Sequence, residues 1–322
     1  MGIIAVAGGT GDIGKLIVNA LRSTGKHWVY SVSRKVLGPD GSLYSPTLVA
    51  DYSDEDALKL MLESKSIQTV ISALSVDVRE ASDAQVRLIR AAAATNCVRR
   101  FAPSEFNVDY DLPNTVLPYP SKEFHVNARR AVEQTRLEYT YFMCGMFMDY
   151  YGMPRVESVL KPTYSIIDLH HNMAYIPGDG QAIMATTLAT DVARYVAAAV
   201  DLPTWPKSLA IAGSQLSTAD LVKLAEQVKY PETIKTVVYP IEAYLNHSVP
   251  LLPSNNDIVS GFPGGETELL ALLCDLDAAI ALGAYDIVKR EGCVDLVKLL
   301  GDSVIKPKTI EEFLHEVWGT KE

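Results

Sequence analysis

The chain has 322 residues, of which 48% are hydrophobic and 21% are charged, and its formal net charge is −10. A chain of this length has room for two domains or for one large α/β unit with an insertion. The hydrophobic fraction is enough for a sizeable core and excludes wholesale disorder. The excess of 39 acidic over 29 basic residues argues against a nucleic-acid partner, because nucleic-acid-binding proteins need a basic face.

Cysteine usage and hydropathy predict the compartment. The four cysteines form no Cys-x-x-Cys pair, so neither a disulfide framework nor a structural metal site is expected and a reducing compartment fits best. No apolar run approaches the ~18 residues of a membrane-spanning helix, and the first residues lack the pattern of a secretory signal. We therefore predict a cytoplasmic globular protein with no membrane partner.

The N-terminal region predicts a β-turn-α-β unit. Residues 3–7 form an apolar run that ends in glycines, which is typical of a strand buried on both faces of a parallel sheet. A helical stripe of apolar residues follows, and Gly25 comes just past its end, where a C-terminal glycine belongs. Residues 28–33 are β-branched and aromatic enough for a second strand.

The alternation of strands and helices continues to residue 142. We predict helices at 54–63, 83–94 and 123–135, and strands at 69–74, 100–102 and 137–142. This alternation predicts the α/β class, with a doubly wound parallel sheet of at least six strands flanked by helices.

The second half of the chain is more mixed. We predict strands at 173–176, 208–212 and 237–239, and helices at 191–200, at 218–228 and within 268–300. The change of rhythm near residue 150 predicts a first domain of residues 1–150, which the chain rejoins at about 185–213. Residues 151–184 and 214–322 then form a second, smaller domain.

Three glycines are spaced Gly8-x-x-Gly11-x-x-Gly14 between the first strand and the first helix. Glycines let the backbone approach a pyrophosphate, and a helix N-terminus supplies unpaired N–H groups and a positive dipole end. The position between a strand and an amphipathic helix favours a dinucleotide site over a bare tight turn. The expected cofactor contacts in this segment are Gly8, Thr10, Gly11, Asp12, Ile13 and Gly14.

The end of the second strand predicts which dinucleotide binds. A protein that binds NAD normally has an Asp or Glu here for the adenosine ribose, whereas this chain has Ser33-Arg34-Lys35. Two cations without a carboxylate suit a 2′-phosphate, so Arg34 and Lys35 predict NADPH/NADP⁺ as the cofactor. Asp51 either contacts the adenine amino group or caps its own loop.

Several segments carry a family resemblance. They are the glycine turn, Arg34, residues 98–106 with their Pro-Ser-Glu-Phe sequence, residues 128–133 with Arg-Arg-Ala-Val-Glu, and the Ile-Pro-Gly-Asp-Gly of 176–180. In these segments the chain resembles the isoflavone-reductase-like and NmrA-like families, which are atypical short-chain dehydrogenases/reductases, and in particular their fungal-type members. The resemblance extends over nearly the whole length.

The resemblance implies a Rossmann domain that binds NADPH and a smaller domain that covers the substrate. It also implies cofactor contacts at Ala73, Ser104 and Arg129. For Ser104 a capping role is the alternative to a role in the reaction. The related families reduce conjugated or benzylic positions of secondary metabolites, and the NmrA-like branch contains proteins that sense the dinucleotide without catalysis.

Two positions depart from the family pattern. The position of the family's catalytic lysine falls on His125, and Asn107 replaces the glycine of Pro-Ser-Glu-Phe-Gly. Lys122 precedes His125 by three residues, so both side chains share one face of a helix. We expect one of these two catalytic candidates to supply or relay the proton. His125 has a reference pKa of ~6.5 near working pH but is short, whereas Lys122 has the reach but stands one turn away from the matched position. If His125 is the donor, Lys122 is expected to support the nicotinamide ribose.

An apolar cluster follows the last predicted strand of the first domain. Residues 143–153 are rich in Met, Phe and Tyr, which indicates either core packing or the wall of an apolar substrate pocket. The expected substrate contacts are Met146, Phe147, Tyr150 and His171. Cys144 is expected to be a packed thiol, and the His170-His171 pair has no acidic or cysteine partner at metal-ligand spacing.

These observations predict an oxidoreductase. The expected activity is the NADPH-dependent reduction of a C=C, C=O or benzylic position in a small aromatic or other secondary metabolite. The alternative is an NmrA-like regulatory protein that senses the dinucleotide and catalyses nothing.

Overall fold

The structure, a computed structural model, describes residues 1–35 and 46–319. Its largest sheet consists of β1 (Ile3–Ala7), β2 (Trp28–Ser33), β3 (Thr47–Val49), β4 (Thr69–Ser72), β5 (Arg100–Ala102) and β6 (Glu138–Tyr139). All neighbouring strands are parallel, in the order β3-β2-β1-β4-β5-β6. The predicted α/β fold with a parallel sheet of at least six strands is therefore confirmed.

Some of the helices cover the two faces of this sheet, and the others pack elsewhere in the molecule. The helices are α1 (Asp12–Ser23), α2 (Glu55–Ser64), α3 (Arg79–Ala94), α4 (Lys122–Glu133), α5 (Ala189–Ala199), α6 (Thr218–Lys229), α7 (Ile241–Leu245), α8 (Gly265–Ala281), α9 (Leu296–Leu300) and α10 (Ile310–Trp318). Because strand side chains alternate between faces, Ile4 and Val6 pack on the side of α1 and α5. Ala5 and Ala7 pack on the opposite side, where α2, α3 and α4 lie against one another.

Short strands build the rest of the molecule. They are β7 (Tyr141–Met143), β8 (Met146–Phe147), β9 (Ile167–Asp168), β10 (Met173–Pro177), β11 (Ile183–Thr187), β12 (Ser208–Ala210), β13 (Ser214–Ser217), β14 (Lys235–Tyr239) and β15 (Cys293–Asp295). They form three-stranded sheets in the orders β14-β10-β9, β13-β11-β8 and β15-β12-β7. A separate apolar cluster joins these strands to α6, α8 and α10.

Two predictions of secondary structure are wrong in an informative way. The single strand expected at 137–142 breaks at Thr140, so that β6 continues the large sheet while β7 pairs with β12. The helical stretch expected within 268–300 ends at Ala281, because Gly283 adopts a left-handed φ of +84°. Residues Cys293–Asp295 instead form β15, which pairs with β12.

Across the described ranges, no helix has both the length and the hydropathy needed to cross a membrane.

Candidate active site

The turn between β1 and α1 lies at the carboxyl edge of the large sheet, beside the end of β4. Gly8 has a φ of +73°, and a Cβ on it would lie 2.5 Å from the carbonyl oxygen of Ala73. A Cβ on Gly14 would lie 2.2 Å from the carbonyl oxygen of Gly8. Packing inside the protein therefore requires both glycines. In sheets of this type ligands bind where the strand order reverses, which here is between β1 and β4.

Gly11 differs from the other two glycines of the turn. It is the N-cap residue of α1 with a φ of −113°, and a Cβ on it would meet nothing closer than 3.9 Å. Any residue type can adopt that backbone conformation, so nothing within the protein requires a glycine there. No side chain of the described chain caps α1, which leaves N–H groups of its first turn for a ligand. An open cradle of this kind fits a pyrophosphate.

The cations predicted to contact a 2′-phosphate lie next to this turn. Arg34 and Lys35 follow β2 and are exposed. The hydroxyl oxygens of Thr10 and Ser33 lie 3.2 Å apart, which joins the turn to the end of β2. Asp51 accepts hydrogen bonds from the backbone N–H and the hydroxyl of Ser53. These bonds are those of a residue that caps its own loop, which is one of the two roles expected for Asp51.

Two cavities with shared walls open beside the turn. The inner cavity has a volume of about 310 Å³ and the outer cavity about 720 Å³. Asp12 in the first turn of α1, Asp77 after β4, Tyr119 and Tyr150 line both of them. The two cavities therefore form one continuous cleft that begins at the N-terminus of α1.

The inner cavity collects a large part of the predicted site. Ala73 follows β4 and Ser104 follows β5, so both reach the cavity from the carboxyl ends of parallel strands. Phe106, in the Pro-Ser-Glu-Phe segment, has a φ of +37°, a strained conformation that is typical of functional sites. The predicted residues that line the inner cavity are Asp12, Ile13, Ala73, Ser104, His125, Met146, Phe147 and Tyr150.

The Met- and Tyr-rich segment serves both of the purposes that its composition indicates. Met148 and Tyr151 belong to the core of the second half of the chain, whereas Phe147 and Tyr150 line the inner cavity. Cys144 is fully buried with its Sγ 3.0 Å from the carbonyl oxygen of Phe106. Burial raises the pKa of this thiol, so it is a packed thiol as expected.

His125 is buried at the inner wall of the cleft. Its Nδ1 lies 2.9 Å from the carbonyl oxygen of Ser104, and because a carbonyl only accepts, Nδ1 carries the hydrogen. Burial lowers the pKa of His125 to about 4, although the Ser104 carbonyl and Asp77 act in the opposite direction. The imidazole is therefore neutral at pH 7, with an unprotonated Nε2.

Lys122 is not at the cleft. Its Nζ donates a hydrogen bond to the carbonyl oxygen of Leu112 at 2.5 Å, and the residue lines neither cavity. Burial lowers the pKa of Lys122, while Asp111 acts in the opposite direction. The expectation that it shares a helix with His125 is met, since both lie on α4, but only His125 reaches the cleft.

Two further expected contacts also lie elsewhere. The guanidinium of Arg129 is 3% exposed and donates to Glu105 Oε2 at 2.6 and 3.0 Å and to Asp109, so the protein itself occupies the donors expected to bind the cofactor. His171 hydrogen-bonds through Nδ1 to Asp168 and Ser254, each at 3.0 Å. Neither residue lines the cleft. The carboxylates of Glu105 and Asp109 hold Arg129, and local pairing holds His171.

Sequence reasoning missed three tyrosines at the cleft. Tyr110 stacks on His125 with ring centroids 3.7 Å apart, and Tyr119 and Tyr285 line the inner cavity. Burial raises the pKa of Tyr119 to about 12, so its hydroxyl stays protonated and can donate hydrogen bonds. Tyr119 stands in the segment of residues 107–121, which is rich in Asp, Pro and Tyr, and this composition is the one signal that the sequence offers for it. The sequence offers no signal for Tyr285, since this residue follows α8 and is far along the chain from the rest of the cleft.

Within the described residues, no group of three or more His, Cys, Asp or Glu side chains is arranged to hold a metal ion.

The sheet order, the glycine turn and the cleft at the strand switch point define a Rossmann-type α/β fold. Residues 2–314 match the NmrA-like family, and the chain belongs to that family. This confirms the relationship expected from the Pro-Ser-Glu-Phe and Arg-Arg-Ala-Val-Glu segments.

Named relatives include fungal and plant enzymes. Oxidoreductase BOA1 of Botryotinia fuckeliana is 35% identical over 226 residues, which cover 70% of this chain and 75% of that protein. Phenylcoumaran benzylic ether reductase TP7 of Nicotiana tabacum is 30% identical over 258 residues, which cover 75% of this chain and 79% of that protein. The leucoanthocyanidin reductase–NADPH complex of Vitis vinifera superposes with a TM-score of 0.71 at 20% identity, covering 98% and 99% of the two chains, a likeness of fold.

Proposed function

We propose that this protein is an NADPH-dependent reductase of a small aromatic or other largely apolar metabolite, acting at a C=C, C=O or benzylic position. The observation that carries the proposal is the continuous cleft, which begins at Asp12, next to the open Gly11 cradle, and leads to a buried imidazole and an aromatic wall. The relatives named as oxidoreductases and as a benzylic ether reductase, and the fold shared with an NADPH complex, support it.

The residues fit the dinucleotide at both ends. The first turn of α1 would hold the pyrophosphate, and Arg34 with Lys35 would hold a 2′-phosphate through charge-assisted hydrogen bonds. The bound reduced nicotinamide supplies a hydride. The inner cavity, where Ala73 and Ser104 reach the strand ends, is the place where the ring and a substrate would meet.

The structure changes the role proposed for His125. A group with a pKa of about 4 does not arrive protonated at pH 7, so the imidazole acts as a proton acceptor or relay rather than as the first donor. Its unprotonated Nε2 suits a hydroxyl group of the substrate. The hydroxyl of Tyr119, which burial keeps protonated, is a donor that lines the same cleft.

The size and walls of the cleft suit the proposed substrate class. Phe147, Tyr150 and Leu272 line the inner cavity, and Phe262 lines the outer one. Ring systems pack well against such aromatic and aliphatic walls. The outer cavity of about 720 Å³ leaves room for a substrate that extends beyond the reacting ring.

The preference for NADPH over NADH is the first test. A charge-assisted contact to phosphate contributes roughly 1.5–3 kcal/mol, or about tenfold or more in affinity. We expect Arg34→Ala to weaken NADPH binding by about that factor and to leave NADH binding unchanged, as measured by calorimetric titration of both cofactors. Lys26→Ala is the matched control, since Lys26 pairs with Asp201 beyond the opposite end of α1. Equal affinities of the wild type for both cofactors would remove the argument.

The dinucleotide sensor is the second candidate, and the replacement of the family lysine by His125 favours it. A protein that binds NADPH tightly but turns over no member of a panel of enones, aryl ketones and benzylic ethers would be assigned to this class.

A further inference from the structure

The two departures from the family pattern, Asn107 and His125, meet in the structure through one residue. The side-chain amide of Asn107 donates a hydrogen bond to the hydroxyl of Tyr110 at 3.4 Å. The ring of Tyr110 lies flat on the ring of His125, with centroids 3.7 Å apart and planes within 6°. A chain of contacts therefore runs from Asn107 through Tyr110 to His125.

The backbone fixes the start of this chain of contacts. The carbonyl oxygen of Asn107 accepts hydrogen bonds from the N–H groups of Cys144 at 3.1 Å and Gly145 at 2.9 Å. These bonds attach the segment after β5 to the end of β7. A glycine at this position has no side chain to make the contact with Tyr110.

The other end of the chain of contacts determines which nitrogen of His125 is available. The carbonyl oxygen of Ser104 fixes Nδ1 as the protonated nitrogen, which leaves Nε2 without a partner among the residues the structure describes. One hydrogen bond fixes one point of a ring but lets it tilt about that point. The flat contact with Tyr110 restricts this tilt, since stacked rings cannot rotate through each other.

We propose that Asn107 and Tyr110 are positioning residues that hold the His125 ring in one orientation and one tautomer, with Nε2 as the proton-accepting atom of the cleft. The proposal deepens the proposed reductase function, on which the use of Nε2 rests. The orientation of the ring is nevertheless a property of the protein alone and is measurable without substrate or cofactor.

The other charged and polar groups that face His125 stay in place in the test. They are Asp77 after β4, Arg129 one turn further along α4, and the carbonyl of Ser104. Because none of them is altered, a change in the behaviour of His125 reports on the contact with Tyr110.

The experiment is ¹⁵N NMR of the imidazole nitrogens over a pH titration, with the His125 signals assigned by their loss in His125→Gln. The wild type is expected to show the tautomer with hydrogen on Nδ1 and a pKa of about 4. Tyr110→Leu removes the stacked ring, and the pKa is expected to rise by about one unit or more toward ~6.5, with a mixture of tautomers. Tyr110→Phe keeps the ring and should retain most of the wild-type behaviour.

Asn107→Ala tests the hydrogen bond between Asn107 and Tyr110 separately from the ring contact. Asn107→Ala and Tyr110→Phe each remove the same hydrogen bond, so each should shift the pKa by the same few tenths of a unit, on the order of a weak hydrogen bond. Combining them should add nothing further. Tyr119→Leu makes the same chemical change in the same cleft, but Tyr119 does not stack on His125, so this variant should leave the His125 signals unchanged.

Each outcome decides the proposal. An unchanged pKa and tautomer in Tyr110→Leu, or an equal shift in Tyr119→Leu, overturns the role of Tyr110. If the pKa of His125 is unchanged in Asn107→Ala, or if the pKa shifts of Asn107→Ala and Tyr110→Phe add fully in the double variant, the role of Asn107 is overturned. If Tyr110→Leu does not fold, Asn107→Ala and Tyr110→Phe still decide between these results. Failure to bind NADPH would defeat the proposed function while leaving the NMR result intact, so the two failures are distinguishable.

Discussion

The glycines of the first turn have different physical reasons for being glycine. Gly8 and Gly14 are required by backbone atoms that lie within 3 Å of any Cβ placed there. Gly11 has open space and an ordinary φ. A ligand that approaches the backbone closely is the reason that remains for Gly11.

This difference predicts a separation of stability from binding. Gly11→Ala is expected to change the free energy of unfolding by less than about 1 kcal/mol, the usual range for an N-cap change. Its methyl group projects into the cradle, so NADPH affinity should fall by about tenfold or more, equivalent to about 1.4 kcal/mol. Gly14→Ala is the contrasting variant and should unfold at much lower urea. Undiminished NADPH binding by Gly11→Ala would mean that the cradle does not hold the pyrophosphate.

The positions of His125 and Lys122 predict unequal effects on turnover. General acid–base groups contribute about 10²–10⁴-fold, so His125→Ala should lower kcat by at least about 100-fold on the best substrate of the reductase panel. Lys122→Ala should stay within about threefold of the wild type, since loss of a contact outside the cleft leaves general acid–base catalysis intact. Steady-state kinetics of both variants measure this. Near-wild-type turnover of His125→Ala would exclude it from the proton transfer.

At the scale of elements, the break between β6 and β7 directs the chain out of the large sheet. Thr140 stands at this break, completely buried, and its hydroxyl has no hydrogen-bond partner in the described part of the chain. Thr187 at the end of β11 is equally buried, but its hydroxyl lies 2.8 Å from the carbonyl oxygens of Cys144 and Ile211. The same residue type therefore has opposite energetic roles at two strand ends.

Valine replaces threonine with the same shape, so the pair tests this directly. Thr140→Val removes a buried unpaired hydroxyl and should raise the free energy of unfolding by about 1 kcal/mol. Thr187→Val leaves buried carbonyls without their donor and should lower it by about 1–2 kcal/mol. Urea denaturation with equal m-values measures both. The same sign of change in both variants would contradict the assignment.

At the scale of the whole molecule, a buried carboxyl joins α8 to the strands of the second half. Asp277 is 6% exposed and accepts a hydrogen bond from the hydroxyl of Ser165. Burial raises the pKa of Asp277 to about 7, with the hydrogen bonds from Ser165 and the Ile166 backbone acting in the opposite direction. A carboxyl whose pKa is higher in the folded state binds its proton more tightly there, so stability falls as pH rises from about 4 to about 7.

Asp277→Asn should remove that part of the pH dependence, because asparagine keeps the acceptor oxygen and never ionises. Relative to wild type, the variant should gain stability between pH 4.5 and pH 8, by on the order of 3 kcal/mol at the upper end. Urea denaturation at the two pH values measures the difference, with the exposed Asp302→Asn as the control. If the free energies of unfolding of wild type and Asp277→Asn differ by the same amount at both pH values, Asp277 does not titrate in this window.

The sequence by itself predicted the parts of this protein that depend on local pattern. The apolar run of β1, the stripe of α1 and the glycine spacing predicted the parallel sheet and the turn at its edge, because each depends on contiguous residues. The Pro-Ser-Glu-Phe segment predicted the family. The same local logic failed at residues 137–142, where one strand-like segment divides between two sheets, since distant strands decide the pairing partner.

The tertiary structure decided what the local pattern leaves open. His125 and Lys122 lie one turn apart on α4, yet packing places only His125 in the cleft. Lys122 instead donates a hydrogen bond to the carbonyl oxygen of Leu112. The tyrosines of the cleft come from separate segments of the chain, and the stacking of Tyr110 on His125 has no signature in sequence spacing. Sequence thus determined the fold class and the dinucleotide turn, whereas tertiary packing, through burial and long-range hydrogen bonds, decided which side chains meet and in which protonation state.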